Sequence, residues 1–248
     1  MAAQWIDGRE IAKAIRLGVK KEIETLARKP ALAVVMVGEN PASKVYVRNK
    51  IKACEEVGIT SIECTMPTES TEERLLETIR DLNASSTIDG ILVQLPLPAH
   101  INAKAVLEAI DPNKDVDGFH IFNTGKLFTT GEGFKPCTPA GIIELLKATD
   151  MTIAGQHAVI LGRSNIVGKP MAMLLLQENA TVTITHSQTK NLADFTRQAD
   201  ILVAAIGRAK FVTADMVKPG AVVIDVGMNR NENGKLCGDV DTEAGKEV

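Results

Sequence analysis

Tyr46 and Lys50 stand four positions apart in a stretch with helical patterning, so their side chains share one face. A lysine amine beside a tyrosine hydroxyl, screened from water, can serve as a proton-transfer group. The same spacing also describes a tyrosine packed beside a lysine whose stem lies along apolar surface. Gln94 sits in VQLPLP (93–98), at the end of an apolar run. An amide in that setting needs partners, either local backbone or a ligand. Asp115 and Asp117 flank Val116 in KDVDGF (114–119). Paired carboxylates suggest acid/base or metal chemistry, while loop aspartates equally make Asx turns.

A second group of residues suits a nucleotide. In HAVILGRSNIVGKP (157–170) the apolar run Ala158–Leu161 stops at Gly162, and a helical pattern starts near Val167. Strand, glycine turn and helix in that order offer backbone N–H groups and a helix N-terminus to a pyrophosphate. Ser164 stands where the usual fingerprint has its second glycine. The next strand-like run, TVTITH, ends in His186-Ser187-Gln188-Thr189-Lys190 without the acid that binds a ribose 2′-hydroxyl in NAD-preferring folds. Arg163 offers a bidentate partner for a 2′-phosphate, which favours NADP over NAD. His186 and Ser187 also suit an ordinary strand-end turn. Gly207 and Gly227, each ending a later apolar run, would let backbone approach the nicotinamide end.

The elements that must position these groups alternate between strand and helix. Residues 8–27 place Ile11, Ile15, Val19, Ile23 and Leu26 on one helical face, closed by Pro30. A strand buried on both faces is expected over 31–38 and further strands over 59–65 and 88–98, the last breaking at its paired prolines, with helices over 43–57, 71–84 and 103–110. Residues 111–136 read as an irregular segment rich in Gly, Asn, Thr and Pro, a domain junction and one lip of a cleft. A helix over 138–148 follows, with Thr138 as N-cap and Pro139 at the first helical position. Strands ending in Leu161, His186, Gly207 and Gly227 then alternate with helices to Asn179 and around 192–199. The pattern predicts an α/β protein with a mostly parallel sheet in each of two lobes, residues 1–119 and 120–248. Parallel right-handed crossovers bring the strand C-terminal ends to one edge, where 38–43, 94–98 and 115–119 converge. An active site between the two lobes is the expectation.

Composition narrows the function classes. With 248 residues, 45% hydrophobic and 24% charged, the chain can bury a core in either lobe. A net charge of −3 with scattered Lys and Arg, and 3% aromatics, leave no nucleic-acid footprint. No apolar run approaches the roughly 20 residues of a membrane span, and MAAQWIDGRE is no signal peptide. The four cysteines, at 54, 64, 137 and 237, lack ligand-like spacing, so reduced cytosolic thiols and no metal site are expected.

Tyr46-x-x-x-Lys50, VQLPLP, KDVDGF, PCTPAG (136–141) and GRSNIVGKP (162–170), in this order and at these separations, resemble the bifunctional methylenetetrahydrofolate dehydrogenase/cyclohydrolase (FolD) family. The resemblance runs from the first helix to GKLCGDVD (234–241). It implies an N-terminal α/β catalytic domain and a Rossmann-type NADP-binding domain. The reaction it implies is NADP-dependent oxidation of 5,10-methylenetetrahydrofolate to the methenyl form, then hydrolysis to 10-formyltetrahydrofolate. By matching position, Lys50 is the acid/base group, Tyr46 stacks on or positions the folate, and Gln94 sets the state of the lysine. Asp117 binds the amino-pyrimidine edge of the pteridine, for which a carboxylate is a bidentate acceptor. Gly162, Arg163, Ser164, Ser187 and Met228 line the NADP site. The family is typically a cytosolic homodimer that pairs through the cofactor domain.

Two departures accompany the resemblance. Relatives continue with a Pro-Gly-Gly loop and a final helix, whereas this sequence stops at Val248 inside what reads as a helix from Thr242. Ala209 replaces a proline common in relatives. Two other readings compete: another two-lobed NADP oxidoreductase acting on a small hydroxy or amino acid, and a non-catalytic NADP-binding sensor. Neither gives Lys50, Gln94 and Asp117 a role in their motifs.

Overall fold

The computed structural model describes residues 3–242. The chain divides into two compact units. One holds residues 8–126 with 132–135; the other holds 127–131 and 136 onward, joined by the residues before Gly8. The expected helix beyond Thr242 lies outside the described residues.

The first unit begins with α1 (Gly8–Glu24) and β1 (Ala31–Val37). It continues through α2 (Pro41–Val57), β2 (Thr60–Met66), α3 (Glu72–Ala84), β3 (Gly90–Val93) and α4 (Ala103–Glu108). Its sheet is parallel in the order β2-β1-β3. The continuous apolar run of β1 is explained by burial on both faces. Ala33 and Val35 pack with Leu75 and Ile79 of α3, while Val34 and Met36 pack with Val47 of α2. Of the expected α1 stripe, Ile23 is buried whereas Ile15 remains exposed, and the helix stops before Leu26.

Strand β3 is shorter than the apolar run predicts. Its pairing with β1 closes at Val93, where the Gln94 N–H donates to the Val35 carbonyl at 2.8 Å. Beyond it Pro96 and Pro98 bring no N–H to a ladder, and the Leu95–Pro96 peptide is cis. The segment expected to be irregular contains a nine-residue helix, α5 (Ile121–Thr129). Gly125 and three threonine or asparagine residues weaken its intrinsic signal. The Asp115 carboxylate holds the approach to this helix, accepting from the Phe119 and His120 N–H groups at 3.3 and 2.9 Å. His120 Nδ1 caps its start by accepting from the Phe122 N–H at 3.0 Å.

The second unit comprises α6 (Cys137–Lys147), β4 (His157–Leu161), α7 (Gly168–Gln177), β5 (Thr181–Thr185), α8 (Leu192–Thr196), β6 (Ile201–Ala204) and β7 (Val222–Asp225). A small antiparallel pair follows, β8 (Asn229–Arg230) with β9 (Leu236–Cys237). The main sheet is parallel in the order β5-β4-β6-β7. Helix α6 starts one residue early, so Thr138 is not its cap. Pro136 precedes the helix without a side-chain cap, and Pro139 fits inside the first turn because its missing N–H has no partner there.

One device opens the central strand of each sheet. Before β3, the Asp89 carboxylate accepts from the Ala31 N–H at 2.8 Å, and the Asp89 N–H donates to the Ala31 carbonyl. Before β6, Asp200 makes the same two-way link with His157 at the start of β4. Arg28 grips Asp89 with both guanidinium arms, and Lys218 pairs with Asp200. These partners hold both carboxyls below the usual carboxylate range, mainly through the Arg28 and Lys218 hydrogen bonds.

Candidate active site

In the first unit the parallel sheet delivers the ends of β1 and β3 to one edge. Gly38 leaves β1 with φ +85, a left-handed conformation, and α2 begins three residues later. Two turns along α2 come Tyr46, 43% exposed, and Lys50, half-buried. The Lys50 ammonium donates to Gln94 Oε1 at 3.3 Å. Gln94 follows β3 directly, and its Nε2 donates to the Leu95 carbonyl at 2.7 Å. The amide is thereby oriented: a flip would aim its NH₂ at an ammonium and its oxygen at a carbonyl. The structure brings Lys50 and Gln94 together, with Tyr46 one helical turn away on α2.

The two aspartates separate by role. Asp115 is buried, and its backbone bridges to Ile91 as an added register on β3. Besides Phe119 and His120, it accepts from Asn123 Nδ2 at 2.9 Å. These donors make it a structural anchor, as in the Asx-type reading. Its neighbour Lys114 donates to the carbonyls of Leu82, Asn83 and Ser85, closing the C-terminus of α3. On the other side Gly118 has φ +66, and a Cβ there would lie 2.5 Å from the Phe134 carbonyl oxygen. Asp117, half-buried, is thus held between fixed neighbours.

In the second unit, the turn after β4 forms an anion-type cradle. Gly162 has φ +113, and a Cβ there would stand 2.3 Å from the Ala205 carbonyl oxygen. A Cβ on Gly168 would stand 2.2 Å from the Gly162 oxygen, so both positions require glycine. Ser164 Oγ accepts from the Val167 and Gly168 N–H groups at 3.1 and 3.2 Å, leaving its O–H to donate. The second-glycine position of the fingerprint is therefore taken by a side chain that organises the entry to α7. A crevice of about 300 Å³ opens here, with Gly162, Arg163, Thr185, His186, Ser187 and Arg208 in its wall. None of its lining residues is a carboxylate. His186 also makes the expected strand-end turn, Nδ1 accepting from the Gln188 N–H.

Met228 lies beyond β7, exposed and outside that wall. Two residues that sequence reasoning missed belong to the same region. Arg208 lines the crevice, and Asp239 is completely buried beneath the turn that carries it. Asp239 accepts from the N–H groups of Ile206, Gly207 and Arg208 and from Asn229 Nδ2. The repeated acid pattern of GDVD was the available signal.

Comparison with known proteins covers both units. Residues 6–117 match the model of the tetrahydrofolate dehydrogenase/cyclohydrolase catalytic domain, and residues 136–248 match the NAD(P)-binding domain of the same family. The bifunctional protein FolD of Polaromonas sp. is 57% identical over all of this chain and 89% of its own length. Among solved structures, the bifunctional FolD of Campylobacter jejuni superimposes with TM-score 0.95 at 46% identity, covering 98% of this chain and 87% of that one. The Trypanosoma brucei dehydrogenase-cyclohydrolase, described as complexed with NADP cofactor and inhibitor, gives TM-score 0.93 at 36% identity over 99% and 88%.

Proposed function

This chain belongs to the tetrahydrofolate dehydrogenase/cyclohydrolase family, and from that premise we infer its activity and the residues that carry it. It is a bifunctional enzyme of one-carbon metabolism. It oxidises 5,10-methylenetetrahydrofolate with NADP and hydrolyses the methenyl product to 10-formyltetrahydrofolate. We assign residues 1–119 to folate and 120–248 to NADP, a division supported by the separate family matches at 6–117 and 136–248.

The second unit fits the cofactor. A glycine turn that tolerates no Cβ lets a pyrophosphate approach the backbone closely, and the Ser164 O–H, whose oxygen organises the entry to α7, is left to donate to it. Arg163 supplies a guanidinium, and a wall without carboxylates spares a 2′-phosphate any repulsion. Gly162 and Ser164 would hold the pyrophosphate, Arg163 and Ser187 the 2′-phosphate on the ribose, and Met228 the nicotinamide side. When bound, NADP supplies the two-electron oxidant for the methylene carbon.

The first unit supplies the proton chemistry. As the neutral amine, Lys50 takes a proton from the water that attacks the methenyl carbon, and the ammonium so formed delivers one to the ring nitrogen that departs, with one proton released overall. Gln94 fixes the position of the Lys50 head, and this 3.3 Å pairing is the observation that carries the reading. Tyr46 stacks on the folate, and Asp117 accepts from the amino-pyrimidine edge. A non-catalytic NADP-binding protein would have no use for that oriented pair.

By the same resemblance the protein works as a cytoplasmic homodimer joined through its cofactor unit. No helix among the described residues is long and apolar enough to cross a membrane. Sedimentation tests the dimer: a single species at monomer mass across micromolar concentrations rules it out. Activity is tested by following NADPH and methenyl-folate absorbance with NADP and NAD in turn. Methylenetetrahydrofolate-dependent NADPH formation followed by decay of the methenyl signal is expected; absence of both overturns the reading.

A further inference from the structure

The turn after β6 is fastened more heavily than a surface loop of its size requires. Asp239 Oδ2 accepts from Ile206 and Gly207 at 2.7 and 3.0 Å, and Oδ1 accepts from Arg208 at 2.8 Å. Asp239 is itself held, its own N–H donating to Asp225 at the end of β7. A second tie follows, where Val212 N–H donates to the Asp239 carbonyl and Lys210 pairs with Asp241. The side chain that this turn presents is Arg208. Its guanidinium carbon stands 4.4 Å from the centroid of the Phe211 ring, and both residues line the crevice. A guanidinium backed by an aromatic ring is a flat platform with one face covered and its position fixed.

The sheet order says what the platform faces. The residues of the NADP-type phosphate contact, Arg163 and Ser187, follow β4 and β5. Arg208 follows β6, on the opposite flank of β4 from β5. Its neighbours in the wall are apolar: Ile206, Leu192 and Phe211. The crevice therefore has a polar flank suited to a phosphate and a flat, largely apolar flank suited to a purine. We propose that Arg208, backed by Phe211 and positioned by Asp239, is the stacking platform for the adenine ring of the cofactor. The inference rests on NADP being the cofactor, adds the residues that grip its base, and gives the turn at Gly207 to the adenine end in place of the nicotinamide end expected from the sequence.

The platform and the phosphate contact make opposite forecasts, readable by equilibrium binding without turnover. Titration calorimetry with NADP and with NAD is run on the wild type and on Arg208→Leu, Arg208→Lys and Arg163→Gln. Arg208→Leu is expected to weaken NADP and NAD by the same factor, about five- to tenfold. Arg208→Lys, which keeps the charge and loses the plane, is expected to weaken both as well. Arg163→Gln is expected to weaken NADP alone. Arg208 is exposed, and unchanged thermal midpoints will verify that the variants fold. Unchanged binding in Arg208→Leu overturns the inference, as does a loss confined to NADP, which would make Arg208 a phosphate contact. A wild type that binds neither nucleotide overturns the cofactor assignment itself.

Discussion

The Lys50 ammonium lies 3.3 Å from Gln94 Oε1, joining helix α2 to the strand end of β3. The amide is oriented by its second bond to Leu95, so its oxygen offers the lysine one fixed site. This pairing explains why an isolated Tyr-x-x-x-Lys pattern reveals little: the partner of Lys50 is 44 positions away.

Lys50→Met is expected to abolish hydrolysis of methenyltetrahydrofolate while NADP still binds. A coupled absorbance assay measures the first and calorimetry the second. Near-wild-type hydrolysis in the variant would remove Lys50 from its role.

Gln94→Leu leaves Lys50 and the Leu95 carbonyl without their partner. Hydrolysis is expected to fall about tenfold, the loss of one charge-assisted hydrogen bond at roughly 1.5 kcal/mol. A fall in the turnover number for hydrolysis, with NADP affinity unchanged by calorimetry, distinguishes this from a fault in the cofactor unit.

Asp115→Ala strands the Phe119 and His120 N–H groups and one Asn123 donor around a buried space. The expected cost is about 3 kcal/mol, measured as a lower urea midpoint. Asp115→Asn, which keeps an acceptor oxygen, is expected to lose less.

Acid should weaken the protein in part through the two strand-opening aspartates. Asp89 and Asp200 have carboxyl pKa values lowered in the folded state, chiefly by Arg28 and Lys218. Their stabilisation is complete above the unfolded value, about 3.9, and is lost as pH falls from there through the folded values. The urea midpoint is expected to decline steeply below about pH 4. The double variant Asp89→Asn, Asp200→Asn should be less stable at neutral pH and show a shallower decline.

The strand and helix alternation was legible because parallel sheets bury both faces of their strands, leaving runs such as 31–37 and 157–161 almost wholly apolar. The glycine turn was legible for a local reason, since Gly162 and Gly168 admit no Cβ. Helix α5 was not, because its local cap is a histidine ring, His120 Nδ1 accepting from the Phe122 N–H, on a segment that Asp115 holds in place. The short reach of β3 follows from Pro96 and Pro98, which bring no N–H to extend its ladder with β1. Arg208 and Asp239 escaped notice for a related reason: their connection spans 31 positions and runs through backbone N–H groups, which carry no residue signature.

The Asp239 anchor also orders events during synthesis. A growing chain emerges with β4, the glycine turn, α7 and β6 well before residue 239 is made. Until then the three adjacent N–H groups at 206–208 lack the carboxylate that gathers them and bond to water instead. On the ribosome, the wall carrying Arg208 therefore gains its anchor only after residue 239 has emerged, 31 positions behind the turn it fixes.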